Sequence, residues 1–345
     1  MLTASMIPRY QKSPGAENHR TAVNLSASTY DHDEVPLQLP LPWKVFSNGE
    51  ELSERHINGL AWSPHGLGKH GSCLLAVLTS NHVLSLWECS GRLEIKDDWK
   101  RSVMVNRFIV DTDLMSDQVQ QTDGVDAISK QALRINSFCW VPLTSTAQPR
   151  DGLAGRLDPA RHHLAVSTHD GYITVLRVES AYDLLKPGLK RLSLTVVARF
   201  KAVPESFAEG PLLQCLPSTQ PRRPPLLDEL SWSPWTIGPD NALASTLAFI
   251  SHDRLHTMRV RILPGLKTST FDFESAVCPR IPGLSEHVSG PLRWAPKPTR
   301  EGGTRLVFFN QQSLYCLSLS FLAGVSLTRQ PFDQTWDHVS GMLRQ

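Results

Sequence analysis

The stretch HINGLAWSP, His56 to Pro64, decides the fold because much of it comes back. HVSGPLRWAP runs from His287 to Pro296, and HVSGM begins again at His338. The centre of the phrase returns without its histidine as SFCWVP, which carries Trp140 and Pro142, and as ELSWSP, which carries Trp232 and Pro234. With Trp62 and Pro64, and Trp294 and Pro296, the chain sets proline two residues after tryptophan in four copies.

Downstream of each copy lies an apolar run, a short polar turn and a second apolar run. These read CLLAVLTSNHVLSLW (Cys73 to Trp87), HLAVSTHDGYITVLRV (His163 to Val178), LASTLAFISHDRLHTMRV (Leu243 to Val260) and RLVFFNQQSLYCLSL (Arg305 to Leu319). Asp170-Gly171 is a strong hairpin signal, since glycine accepts the positive φ that tight turns demand. Asn81-His82 and Asp253-Arg254 take the same place in the first and third copies, and Gln311-Gln312 is a weaker turn in the fourth. Proline removes a ladder donor, so it marks where pairing of the tryptophan strand ends. Fourth strands are expected within Asp98 to Val110 and Arg191 to Val203.

Each unit is therefore an antiparallel meander whose indole fills space between stacked sheets. One such sheet cannot bury both faces, whereas a series of blades can. The expected fold is all-β, a WD-repeat-like β-propeller with four recognisable blades and the start of a fifth. The spacing between successive tryptophans exceeds the ~40 to 45 residues of a WD-type blade. Insertions are expected near 110–131, 143–161 and 204–225, within a propeller spanning 35–345, after a poorly ordered segment at 1–34. Because the fifth copy stops shortly after His338, the propeller is expected to be incomplete and the chain a fragment.

Composition narrows the function. Of 345 residues, 41% are hydrophobic, and 35 basic against 33 acidic side chains leave a formal charge of +2. Binding nucleic acid through charge generally needs a larger basic excess, so such a role has to rest on local patches. The 25 prolines and 21 glycines speak for turns rather than helices. No apolar run reaches the ~20 residues of a membrane helix, and the N-terminus lacks a signal-peptide core. The six cysteines form no Cys-x-x-Cys pair, which gives a zinc site no local nucleus and fits a reducing compartment.

No catalytic, cofactor-binding or metal-binding residue stands out. His252 and His256 lie four apart, but across a hairpin turn, and the motif is not His-Glu-x-x-His. His65, His70, His162 and His163 flank loops, while His56, His287 and His338 repeat with the blade and suggest structural roles. SPHGLGKHGS, Ser63 to Ser72, lacks the order of a phosphate-binding loop and joins strands. There is no Gly-x-Ser-x-Gly elbow. Basic residues form small groups at Lys186, Lys190 and Arg191, at Arg222 and Arg223, and at Lys297, Arg300 and Arg305. They lack the aromatic interleaving of a single-strand binder and read as a solvated rim.

The segment EELSERHINGLAWSPHGLGKHGSCLLAVLTSNHVLSLWE, Glu50 to Glu88, resembles the N-terminal propeller of the delta subunit of transcription factor IIIC, the ninety-kilodalton subunit family. The resemblance is strongest in WSPHGLGKHGSCLLAVLTSNHVLSLWE and continues more loosely from Val35 through the later tryptophan units. Family members carry a further tryptophan unit ahead of the segment matching Pro36 to Ser47, and further blades and a cysteine-rich domain beyond the match to His338. Neither has a counterpart here.

The resemblance implies a non-catalytic scaffold in the nucleus that acts in RNA polymerase III initiation at transfer-RNA-type genes. Its partners would be other transcription factor IIIC subunits and polymerase III initiation factors, with DNA contact weak or indirect, and no membrane or small-molecule substrate. The family has also been credited with histone acetyltransferase activity. The nearest match to an acetyl-CoA loop, Arg300 to Arg305, places arginine where a small residue is required, so no acetyl transfer is expected. A WD-repeat adaptor of an unrelated complex is the remaining alternative, since a propeller alone does not name its client.

Overall fold

The computed structural model describes residues 2–6, 21–25, 30–31, 45–46, 57–80, 82–93, 95–109, 134–142, 162–182, 190–202, 227–237, 243–251, 253–263, 270–275, 277, 288–296, 303–309, 313–320, 324–331, 336–337 and 342–343. The expected insertions at 110–131, 143–161 and 204–225 lie outside these residues, as does most of 1–34. The fold is all-β and carries four β-propeller blades, each an antiparallel meander. Two compact units divide the chain, Met1–Trp140 with His162–Arg199, and Val141–Arg161 with Phe200–Gln345.

In the first unit, β1 (Leu2–Met6) pairs with β2 (Thr21–Leu25), and β3 (Tyr30–Asp31) with β4 (Val45–Phe46). The first blade runs in order through β5 (Ile57–Trp62), β6 (Leu75–Thr79), β7 (Leu84–Cys89) and β8 (Trp99–Met104). Past β8 the chain turns helical over residues 105–109, which shortens the fourth strand expected to reach Val110. The second blade holds β9 (Ile135–Trp140), β10 (His163–Thr168), β11 (Tyr172–Tyr182) and β12 (Lys190–Lys201).

The two sheets of this unit share one core. Ala76, Leu78 and Leu86 of the first blade cluster with Leu164, Val166, Leu176 and Leu194 of the second. Each fully buried aliphatic side chain of this kind contributes roughly 1.5–3 kcal/mol. Asn106 ties the helical turn to the sheet: its Oδ1 accepts from Leu84 N at 2.8 Å, and its Nδ2 donates to His82 O at 2.8 Å.

In the second unit, the third blade holds β13 (Leu227–Trp232), β14 (Thr236–Ile237), β15 (Leu243–Ser251), β16 (Arg254–Leu263) and β17 (Thr270–Phe273), with β14 added to β15 beyond the four-strand path. The fourth comprises β18 (Ser289–Trp294), β19 (Thr304–Phe309), β20 (Ser313–Ser320) and β21 (Gly324–Pro331). Ala248, Ile250 and Leu255 of the third blade pack with Leu292, Phe308 and Leu317 of the fourth. A short pair, β22 (Trp336–Asp337) with β23 (Met342–Leu343), flanks the last copy of the phrase, whose His338 lies outside the described residues.

The turns follow the sequence with one shift. Gly171 has φ 84°, and its N–H donates to Thr168 O at 3.0 Å. In the third blade Arg254 is already paired with Ser251, so the turn spans residues 252–253 rather than the expected Asp253-Arg254, with Asp253 at φ 59°. His82 takes the equivalent left-handed position in the first blade, φ 63°.

Candidate interaction surface

The four marker tryptophans each end the first strand of a blade, so the structure spreads them one per sheet. Their environments differ, which corrects the expectation that all four indoles wedge between sheets. Trp232 is 6% exposed, with Trp235, Phe271 and Phe273 around it at centroid distances of 6.2, 6.5 and 6.4 Å. Trp294 is partly buried and bridges two blades, since its Nε1 donates to Ser231 O at 3.0 Å. Trp140 packs on the shared core of the first unit. Trp62, by contrast, is 47% exposed, and its ring centroid lies 6.3 Å from that of Trp99.

The residue between tryptophan and proline has a function that the sequence reading passed over. Ser63 exchanges backbone contact with Leu74 O at 2.8 Å, and its hydroxyl accepts from Leu74 N at 2.8 Å. Ser233 repeats this on Thr246, at 2.8 Å for each bond, and Ser245 Oγ donates to Ser233 O at 2.7 Å. Pairing thus continues one residue past the strand and stops at Pro64 and Pro234. Ala295, ahead of Pro296, keeps the backbone bond to Arg305 O at 2.8 Å. Val141, ahead of Pro142, is fully buried.

A second shared feature lies four residues before three of the tryptophans. In β5, β9 and β13 the register skips one residue, Asn58, Asn136 or Asp228, and the corresponding part of β18 is also irregular. Such bulges bend a strand and increase its twist. They explain the glycine of the repeated phrase: a Cβ on Gly59 would lie 3.1 Å from Phe138 Cε1. Asx residues at this offset were the available sequence signal.

Asp170 and Gly171 form a braced hairpin. Arg199 Nη2 donates to Asp170 Oδ2 at 3.1 Å, Thr168 Oγ1 bonds Asp170 Oδ1, and the Arg199 guanidinium stands 4.6 Å from the centre of the Tyr172 ring. Burial depresses the Arg199 pKa from its ordinary value. The arrangement holds a turn in place.

Titratable side chains also meet in the loops of the first unit. Cys73 Sγ lies 3.5 Å from His65 Nδ1, and His162 Nε2 is 2.9 Å from His65 O. Burial raises the Cys73 thiol pKa, opposite to the direction that favours a thiolate nucleophile. His256 is buried and stacks on Phe249 at 5.3 Å. Among the described residues, no group of three or more His, Cys, Asp or Glu is placed to hold a metal. Thr304 and Arg305, the end of the segment compared with an acetyl-CoA loop, open a strand. A notch of about 190 Å³ in the second unit, lined by Thr246, Thr257, Arg259, Glu274, Thr304 and Leu319, is below the ~300 Å³ typical of ligand pockets.

What the described surface does offer is apolar area on the first blade. Leu60 is 42% exposed, next to Trp62 on the same side of β5, and Leu93 and Ile95 are exposed beside Trp99, whose Nε1 donates to Leu93 O at 3.0 Å. Large apolar side chains grouped on a surface mark protein contact more often than chemistry.

No curated protein matches the chain. Among solved structures, the WD40 domain of SCAP from fission yeast is 10% identical, with a TM-score of 0.37 over 82% of this chain and 43% of that one. The Nup133 β-propeller domain of Vanderwaltozyma polyspora is 9% identical, with a TM-score of 0.38 over 84% of this chain and 66% of that one. The chain spans less than two thirds of either. The family model for the transcription factor IIIC subunit delta β-propeller domain matches residues 8–345, and with blades of the expected order and content the chain belongs to that family.

Proposed function

We propose that the chain is a non-catalytic scaffold within transcription factor IIIC, acting in the nucleus in RNA polymerase III initiation at transfer-RNA-type genes. Family membership across residues 8–345 carries this reading. Its partners are other subunits of that factor and polymerase III initiation factors, and DNA contact is indirect. The exposed Leu60 and Trp62 supply a rigid apolar contact, since both sit on a paired strand rather than a loop. The insertions at 110–131 and 204–225 are further contact segments, because function in such folds concentrates in the connections between strands.

Affinity capture of the tagged chain from nuclear extract tests this. Transcription factor IIIC subunits should be recovered, and the chain should be found by chromatin immunoprecipitation at transfer-RNA genes. Recovery of an unrelated complex without them would make the chain an adaptor of that complex instead. Histone acetylation by purified chain, above a heat-treated control, would overturn the non-catalytic part.

A further inference from the structure

The sheet β5–β8 has two apolar faces. One packs on the second blade through Ala76, Leu78 and Leu86. The other gathers Leu75, Val77, Trp87 and Trp99, with Ile57 and Cys89 against them. Those six residues all come from the first blade itself, yet Leu75, Val77, Trp87 and Trp99 are buried. Another element must therefore lie over them. The register pairs Leu60 with Val77 and Trp62 with Leu75, which sets Leu60 and Trp62 on this same face. Both are exposed, so the cover stops short of β5.

The pairing of β1 with β2 fits the requirement. Leu2↔Leu25, Ala4↔Val23 and Met6↔Thr21 alternate with Thr3↔Asn24 and Ser5↔Ala22. Because successive strand residues belong to opposite faces, the first set makes one side of the ladder largely apolar and the second makes the other largely polar. An isolated two-stranded ladder is marginally stable in water and needs an apolar surface to lie on. β2 contacts the 3-10 turn Lys96–Asp98, and the next residue after that turn is Trp99.

We infer that the β1–β2 ladder is the occupant of the Trp87–Trp99 face: a strap formed by the chain's own N-terminal strands, apolar side down, leaving Leu60 and Trp62 at an open rim. The face is thereby built to accept an amphipathic strand pair, and this chain fills it in cis.

Hydroxyl-radical footprinting of individual tryptophans tests the assignment on the full chain, on Val23→Asp, on Asn24→Asp and on a chain lacking residues 2–25. Oxidation of Trp87 and Trp99 should rise several-fold in Val23→Asp and in the shortened chain, and stay near the parent value in Asn24→Asp, with Trp232 constant as the internal reference. A peptide of residues 1–30 added to the shortened chain should restore protection. Trp87 and Trp99 that remain protected without residues 2–25 would overturn the proposal. Protection that follows protein concentration instead would do so too, by naming a second copy as the occupant. Should the shortened chain fail to fold, Val23→Asp against Asn24→Asp decides.

Discussion

Glu229 stands where a side chain at Gly290 would have to go: a Cβ at 290 would lie 2.8 Å from both Glu229 Cγ and Oε1. The glutamate belongs to the third blade and the glycine to the fourth, and the Leu292 backbone N–H donates to the Glu229 carboxylate. Gly290→Ala should therefore displace the glutamate and cost about 1–3 kcal/mol in chemical denaturation, through crowding and a lost buried bond. In a Glu229→Ala background the obstacle is gone, so the same substitution should cost markedly less. Equal costs in both backgrounds would show that the contact is not what requires glycine.

The same carboxylate gives a pH dependence. Burial raises the Glu229 pKa, against the opposing pull of the Arg293 charge and the Leu292 amide. In the folded protein it holds its proton to higher pH than in the unfolded chain. The folded state then binds more protons in the window between the ordinary glutamate pKa and the raised one, and stability falls as pH rises through that window. Glu229→Gln keeps an acceptor for Leu292 and removes the titration. Its stability should vary less with pH across the window than that of the parent, as read by denaturation series at fixed ionic strength.

Ser63 and Ser233 make the next test. Each hydroxyl accepts a bond from a backbone N–H on the neighbouring strand, Leu74 and Thr246 respectively. Replacement by alanine orphans that donor at a cost of roughly 1–3 kcal/mol. Ser233→Ala should cost more than Ser63→Ala, because Ser233 Oγ also sits 2.9 Å from the buried Ser245 Oγ. Equal thermal shifts for the two variants would remove that network from the account.

How far the sequence spoke can be judged at these residues. Tryptophan and proline are conspicuous, so four copies of their pairing were enough to place every blade and every first strand. The serine between them looks like any polar residue near a strand end, and its bond to Leu74 N depends on a partner eleven positions away. Burial of a repeated residue was not legible either. Trp62 and Trp232 share the motif Trp-Ser-Pro, yet what covers each ring is set by another element: Phe271 and Phe273 on β17 for Trp232. Asn58, Asn136 and Asp228 stood in register with the tryptophans, but a bulge shows only once the partner strand is known. Nothing in the 3.6-residue or two-residue patterns separates Leu60, at the surface, from Leu86, in the core.

Asn106 predicts a sharper asymmetry. Its amide both accepts from Leu84 N and donates to His82 O, within a fully buried setting. Asn106→Ala leaves two backbone groups without partners, at roughly 1–3 kcal/mol each if no water enters. Asn106→Asp keeps the acceptor but turns a carboxylate oxygen toward the His82 carbonyl, adding repulsion and a buried charge. At neutral pH the aspartate variant should be the less stable of the two, and acidification should narrow the gap as the carboxyl protonates and regains a donor. A gap that does not respond to pH would mean the lost donor is not the cause.

Trp62 and Trp232 separate stability from contact. Truncating the buried Trp232 to alanine should cost about 3–5 kcal/mol, since the aromatic neighbours Trp235, Phe271 and Phe273 cannot close the space. Trp62→Arg, at a ring nearly half exposed, should change folding stability by only ~0.5 kcal/mol. If the Leu60–Trp62 rim is a docking surface, the arginine variant should nevertheless lose recovery of transcription factor IIIC subunits from nuclear extract, while a Lys100→Glu control on an exposed position keeps it. Exposed apolar anchors carry binding out of proportion to their number, so a single change at the rim should be visible. Undiminished capture by a stably folded Trp62→Arg chain would move the contact to other parts of the molecule.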